Sequence, residues 1–216
     1  MLLYYITDRT QFPGDENSRR HALLRKIAEA ARCGVDLIQL REKDLATREL
    51  ETLALAAVRT IRENSPRTRL LINSRTDVAL SCGADGVHLR SDDVSPTEVR
   101  AVWERGRDAP TGEKKTLTPC IAVSCHTLDA VTRAASEAAD FVVFAPVFEK
   151  KTAPGTPLAE VATLREACHG PVPVLALGGI TLDNAQICVA AGAAGVAGIR
   201  LFQENDIAEV ARKLRG

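Results

Sequence analysis

Residues 31–44, ARCGVDLIQLREKD, carry the pattern from which the architecture follows. The stretch ends an amphipathic segment, turns through Cys33 and Gly34, runs largely apolar from Val35 to Leu40, and leaves in charges. The run lacks the period-two alternation of a strand with one wet face. It suits a strand covered on both faces, as in a parallel sheet. The same passage from helix end through small residues into a strand returns in LSCGADGVHL (80–89), SEAADFVVFA (136–145) and VAAGAAGVAGI (189–199). A half- or quarter-barrel duplication leaves such echoes, and so does an alternating architecture alone.

Four further apolar runs, LLYYIT, RLLIN, CIAVS and VPVLAL, bring the strand count to eight. Between the runs lie amphipathic segments such as RRHALLRKIAEAARCG (19–34), TRELETLALAAVRTIREN (47–64) and PLAEVATLREACHG (157–170). Their apolar residues recur at helical spacing, and two of them close on a Gly suited to a helix C-cap. Eight βα units in this length predict a single α/β domain over residues 1–216, a (β/α)8 TIM barrel. The competing doubly wound sheet loses ground because no GxGxxG follows the first strand.

The bulk properties bound the function. A chain of 216 residues can bury one sizeable core. Its 28 Lys+Arg balance 28 Asp+Glu, which argues against the basic face that nucleic acid requires. No apolar run approaches a membrane span. The opening MLLYYITDR has no basic region ahead of its apolar residues and reads as a first strand, not a signal peptide. Six cysteines, Cys33, Cys82, Cys120, Cys125, Cys168 and Cys188, form no CxxC pair and read as reduced core thiols, not zinc ligands. The expectation is a cytoplasmic enzyme with a small-molecule partner and no nucleic-acid or membrane partner.

Barrel sites form at the C-terminal ends of the strands, so the residues that close each strand carry the chemistry. In IQLREKD, alternation puts Gln39, Arg41 and Lys43 on one face, an amide and two cations suited to an anionic ligand. The interleaved Glu42 and Asp44 equally allow a surface salt-bridge patch. INSRTD offers Asn73 to a heterocycle, with Asn73 or Ser74 alternatively capping a helix. In GVHLRSDD, Asp93 either holds Mg2+ through water or caps the helix starting near SPTEV, and His88 reads as a packed core histidine. VSCHT releases Ser124 and His126 together. His126 suits proton exchange near neutral pH, or is a solvated residue at a helix start, while Cys125 should point away from both. LALGGIT and GVAGIRLF bring Gly178, Gly179, Ile199 and Arg200 to the recurrent barrel phosphate site, against the alternative of a tight turn without ligand. RGRDAPTGEKKTLTP (105–119) reads as a solvated connector. FVVFAPVFEKKTAPGTPL (141–158) reads as the sixth strand feeding a loop that covers substrate.

YITD, IQLREKD, INSRTDVAL, ADGVHL, VSCHT, APVFEKKT, LALGGIT and GVAGI follow the order of the thiamin phosphate synthase / TenI family, which the chain resembles nearly from end to end. The resemblance implies a (β/α)8 barrel of thiamin biosynthesis and a homo-oligomer in solution. In the synthase branch, hydroxymethylpyrimidine pyrophosphate loses pyrophosphate and a thiazole phosphate nitrogen attacks the cation. That branch implies Gln39 and Asn73 near the pyrimidine, with Arg41, Lys43 and Ser124 facing pyrophosphate. It further implies Asp93 as one of two carboxylates serving Mg2+, Thr152 in the substrate loop, and Gly179 with the strand-eight loop at the thiazole phosphate. The sequence departs from the synthase pattern at Ser74, where Asp is usual. It departs again at Lys150 and Ala153, where the loop has Thr and Lys, and at Arg200, where it has Ser. A lost metal carboxylate and a lost phosphate cation remove transition-state charge stabilisation, with Lys150 or Lys151 as candidate replacements.

In the TenI branch a thiazole carboxylate phosphate shifts a proton and a double bond. The resemblance there implies His126 as general base and no cofactor. On Ser74 and Ala153 the expectation is a TenI-like thiazole tautomerase. The alternatives are a Mg2+-dependent thiamin phosphate synthase and a non-catalytic thiazole-phosphate-binding regulator.

Overall fold

The computed structural model of the protein describes residues 1–106, 118–148 and 161–216. The strands are β1 (Leu2–Ile6), β2 (Leu37–Leu40), β3 (Arg69–Asn73), β4 (Gly86–Leu89), β5 (Cys120–Cys125), β6 (Phe141–Phe144), β7 (Val174–Ala176) and β8 (Gly195–Gly198). All pair in parallel with their chain neighbours, and β8 pairs with β1 to close the barrel. The helices are α1 (Glu16–Arg32), α2 (Thr47–Asn64), α3 (Thr76–Cys82), α4 (Pro96–Gly106), α5 (Leu128–Ser136), α6 (Val161–Cys168), α7 (Ala185–Ala190), α8 (Arg200–Gln203) and α9 (Ile207–Arg215). Each apolar run read from the sequence is a strand, and the (β/α)8 barrel is the fold. No helix among the described residues is long and apolar enough to cross a membrane.

Burial on both faces explains the missing alternation. Tyr4, Ile6, Leu37, Leu71, Phe141, Val143, Leu175 and Ala197 point inward and fill the barrel. Their neighbours Leu3, Tyr5, Ile38, Leu40, Leu70, Ile72 and Val142 point outward into the shell beneath the helices. The inner space is tight at the floor. A Cβ on Gly195 would come within 2.1 Å of the Leu2 carbonyl oxygen, so β1 and β8 can close only over a glycine there.

The sequence echoes have a structural counterpart. Asp36, Asp85 and Asp140 immediately precede β2, β4 and β6. Each carboxylate accepts from a backbone N–H of the preceding strand: Leu3 at 2.8 Å, Leu70 at 2.7 Å and Ile121 at 2.7 Å. Each Asp also donates its own N–H to the carbonyl of that same residue. Ala194 occupies the fourth place, before β8, and keeps only the backbone half of the clamp, to Val174. The clamps sit at the N-terminal ends of the strands and leave the opposite end free for chemistry.

Candidate active site

Among the described residues the upper part of the barrel carries three polar groupings. The first spans β1 and β2. Thr7 and Glu42 are buried, and the Thr7 hydroxyl donates to Glu42 Oε1 at 2.5 Å. Arg9 is 3% exposed, and its backbone N–H and Nη1 donate to Glu42 Oε2 at 3.0 and 3.1 Å. Its Nη1 and Nη2 take both oxygens of Asp44, at 2.6 and 2.9 Å, and Nε reaches Glu16 at 2.8 Å. A guanidinium and a carboxylate are tolerated away from water only when so fully bonded. Burial pushes the Glu42 carboxyl above its ordinary value, with the bonds from Thr7 and Arg9 opposing it. The hydrogen bond from Arg9 holds Asp44 and Glu16 below theirs.

Glu42 and Asp44 thus form the ion-pair cluster that REKD allows, but around a buried arginine that strand-end spacing does not point to. The only signal was Arg9 following YITD. The cluster also corrects the placement of Lys43. β2 ends at Leu40, because the chain bends to bring Glu42 onto Thr7 and Arg9. Strand alternation therefore does not extend to Lys43, which lies exposed in the turn beyond. The Arg41 N–H donates to Thr7 Oγ1 at 3.0 Å. Among the described residues no carboxylate pairs with the Arg41 guanidinium, and its charge reaches His88.

The second grouping joins β2, β3 and the loop after β4. Buried Gln39 donates from Nε2 to Asn73 Oδ1 at 2.8 Å, and Asn73 Nδ2 lies 3.4 Å from Ser74 Oγ. Ser74 Oγ donates to Asp93 Oδ2 at 2.6 Å, which also accepts the Arg90 N–H at 2.7 Å. Ser74 adopts φ +57°, a conformation uncommon outside glycine and held only where the surroundings impose it. The capping alternatives fall away. The residue before α3 is Arg75, so neither Asn73 nor Ser74 caps it. Helix α4 is capped by Ser95, which exchanges hydrogen bonds with Glu98, with Pro96 as the first helical residue. Asp93 is not needed as a cap.

The third grouping runs through the barrel interior. The Tyr4 hydroxyl lies 2.8 Å from His88 Nδ1, and His88 Nε2 lies 2.9 Å from Ser124 Oγ. The Tyr4 and His88 rings stack, and Tyr4 meets Phe141 edge-on. Burial, helped by the Arg41 charge, drives the His88 pKa down to about 3, so this imidazole is neutral. His88 is the packed core histidine expected, but it is bonded to a candidate site residue.

His126 follows Ser124 on the rim and is exposed. Its Nδ1 lies 2.6 Å from the Ala145 carbonyl, which can only accept, so Nδ1 carries the proton and Nε2 is left as the basic nitrogen of the neutral ring. Thr127 caps α5, so His126 stands just outside that helix. Cys125 is fully buried in the outer shell, and burial pushes its thiol up to about 11.

Gly178 and Gly179 both have positive φ, +101° and +62°. A Cβ on Gly178 would fall 2.8 Å from Pro146 Cα, so its small size serves the contact with the loop after β6. The Gly179 carbonyl accepts from Asn184 Nδ2 at 2.9 Å, and Asn184 and Thr181 hydrogen-bond each other ahead of α7. Ile199 packs against the barrel interior, and Arg200 opens α8. Gln203 on α8 stitches β8 back to β1, accepting from Tyr5 Oη at 3.1 Å and from the Asp8 N–H at 2.9 Å. Thr152, Lys150, Lys151 and Ala153 lie outside the described residues, as do residues 107–117 of the polar insert.

Among the described residues no three His, Cys, Asp or Glu side chains are grouped to hold a metal ion. Mg2+ asks for less, since one or two carboxylates suffice when substrate phosphates complete its shell. Asp93 is one such carboxylate, with Oδ2 accepting from Ser74 and from the Arg90 N–H and Oδ1 3.4 Å from Arg90 Nη2.

The sequence family described as thiamine monophosphate synthase matches residues 3–202. Thiamine-phosphate synthase of Methanoculleus marisnigri is 37% identical, over 99% of this chain and 93% of its own length. Thiamine-phosphate synthase of Syntrophomonas wolfei is 34% identical, over 99% and 94%. The solved structure of a thiamine phosphate pyrophosphorylase from Pyrococcus furiosus superposes with a TM-score of 0.78 at 27% identity, covering 99% of this chain and 93% of that one. With its barrel, its strand-end residues and a match across almost its whole length, the chain belongs to the thiamin phosphate synthase / TenI family.

Proposed function

We propose that the chain is a thiamin phosphate synthase, joining hydroxymethylpyrimidine pyrophosphate to a thiazole phosphate with release of pyrophosphate. The observation that carries this reading is its near full-length similarity to proteins named thiamine-phosphate synthase. That similarity favours the synthase over the tautomerase expected from Ser74 and Ala153. Ser74 also weighs less against synthesis once its hydroxyl is seen bonded to Asp93 at 2.6 Å, because the position still serves the acidic corner.

In this reading the Gln39–Asn73 bond fixes both amides, so that Gln39 Oε1 accepts and Asn73 Nδ2 donates to the edge of the pyrimidine. Arg41, Lys43 and Ser124 meet the pyrophosphate, whose charge grows as its C–O bond breaks and keeps the electron pair. The thiazole nitrogen then supplies the pair for the new C–N bond. The backbone of Gly178 and Gly179 with Ile199 and Arg200 receives the thiazole phosphate, and Thr152 belongs to the covering loop. Mg2+ held by Asp93 and Ser74 would neutralise charge on the leaving group.

Incubation of the protein with both substrates, with and without Mg2+, tests this reading. Thiamin phosphate formed only with Mg2+ is the expected result. The tautomerase remains the second reading on one observation, the Ala145 carbonyl that leaves His126 Nε2 free to act as a base. Isomerisation of the thiazole without thiamin phosphate, abolished in His126→Ala, would replace the first reading with the second. Thiazole phosphate binding with neither reaction would leave the regulator.

A further inference from the structure

The hydrogen-bond chain from Tyr4 through His88 to Ser124 has only one orientation that satisfies every buried donor. Tyr4 is fully buried, and among the described residues its hydroxyl meets one partner, His88 Nδ1 at 2.8 Å. If Nδ1 carried the imidazole proton, it would donate to Tyr4 and strand the phenolic hydrogen in an apolar interior, where an unmade bond is costly. The Tyr4 O–H therefore donates to Nδ1, and the proton of the neutral ring sits on Nε2. That N–H donates to Ser124 Oγ at 2.9 Å. One lone pair of the serine oxygen is thereby occupied, and the serine hydrogen, which cannot point at that N–H, has no partner among the described residues. Ser124 is partly exposed at the rim of β5, beyond the buried imidazole. The two aromatic side chains occupy the barrel interior, where the function above gives them no role.

We propose that Tyr4 and His88 are positioning residues that lock the Ser124 hydroxyl as a hydrogen-bond donor toward an anionic oxygen at the barrel mouth. Identifying that oxygen as part of the departing pyrophosphate rests on the synthase reading; the locked orientation does not. Tyr4→Phe keeps the ring and removes only the phenolic oxygen, after which either tautomer of His88 is tolerated.

Long-range 1H–15N correlation spectra of histidine-labelled protein read the tautomer directly, with His88→Gln assigning the signal. Wild type should show His88 protonated only on Nε2, unchanged from pH 6 to 8. Tyr4→Phe should show a mixture. Titration with inorganic pyrophosphate should give a Kd about tenfold weaker for Tyr4→Phe, the size expected for one misdirected hydrogen bond. In a Ser124→Ala background the same change should have no further effect. A wild-type His88 protonated on Nδ1 would overturn the inference, as would an equal loss from Tyr4→Phe with Ser124 absent. The expected tautomer and coupling, in a protein that forms no thiamin phosphate, would sink the synthase reading and leave the locked hydroxyl standing.

Discussion

At the floor of the barrel one device is used three times. Asp36, Asp85 and Asp140 each stand before an even-numbered strand and each clamp the backbone of the strand before it. At the mouth the described strand ends differ: β1 leads into buried Arg9, β2 and β3 share an amide pair, and β5 releases a serine and a histidine. The floor solves one problem, joining neighbouring strands, and the solution repeats because the geometry repeats. The mouth must present different groups to one ligand, so its residues are held by individual networks. Changes at the floor should alter stability and leave activity alone, and changes at the mouth should do the reverse. Four measurements test that division.

The largest effect should violate it. Glu42 belongs to the mouth yet balances a buried guanidinium, so Glu42→Ala takes from Arg9 the buried member of its three carboxylate partners. Asp44 and Glu16 still pair with Arg9, so a loss of about 3 kcal/mol is expected, at the lower end for a broken buried pair. Urea unfolding measures it, and a loss below about 1 kcal/mol would mean that the exposed partners alone suffice. Next comes Arg41→Ala. On the synthase reading this cation faces the departing pyrophosphate, and its removal should lower kcat/KM for thiamin phosphate formation by about 10²-fold, near 2.7 kcal/mol, while the urea midpoint stays put. A matching drop in stability would make Arg41 a structural residue.

The third test concerns pH. His88 has a folded pKa of about 3, against about 6.5 for an unperturbed imidazole. Between those values the unfolded chain binds more protons, so the contribution is complete above about pH 6.5 and is lost as pH falls toward 3. The loss should approach about 2 kcal/mol by pH 5, at no more than about 1.4 kcal/mol per pH unit. His88→Gln should remove that part of the slope between urea midpoints at pH 7 and pH 5. An unchanged slope would assign it to other groups.

The smallest effect returns to the floor. Ala194→Asp supplies the carboxylate that the fourth echo lacks, facing the N–H of Val174 by analogy with Leu70 and Ile121. A gain of about 1 kcal/mol is expected, with catalysis unchanged. A loss would show that β7 and β8 depart from the common geometry.

Much of this was legible in the sequence. Eight two-sided apolar runs specify a parallel barrel because strands buried on both faces cannot alternate. The candidate ligands could be placed because barrel chemistry gathers where the strands end. Gln39, Asn73 and Ser124 could be read in this way because each lies within a regular strand, where alternation fixes direction. Lys43 could not, since alternation stops at Leu40. Arg9 with Glu42, and Tyr4 with His88, are 33 and 84 residues apart. No local periodicity encodes such pairs; closing the barrel brings them together and removes the water that would otherwise weaken their bonds. Strand, helix and family follow from the order of residues along the chain. Which nitrogen of a histidine carries its proton, and which serine thereby becomes a donor, is decided only when the tertiary structure fixes what each buried polar atom can reach.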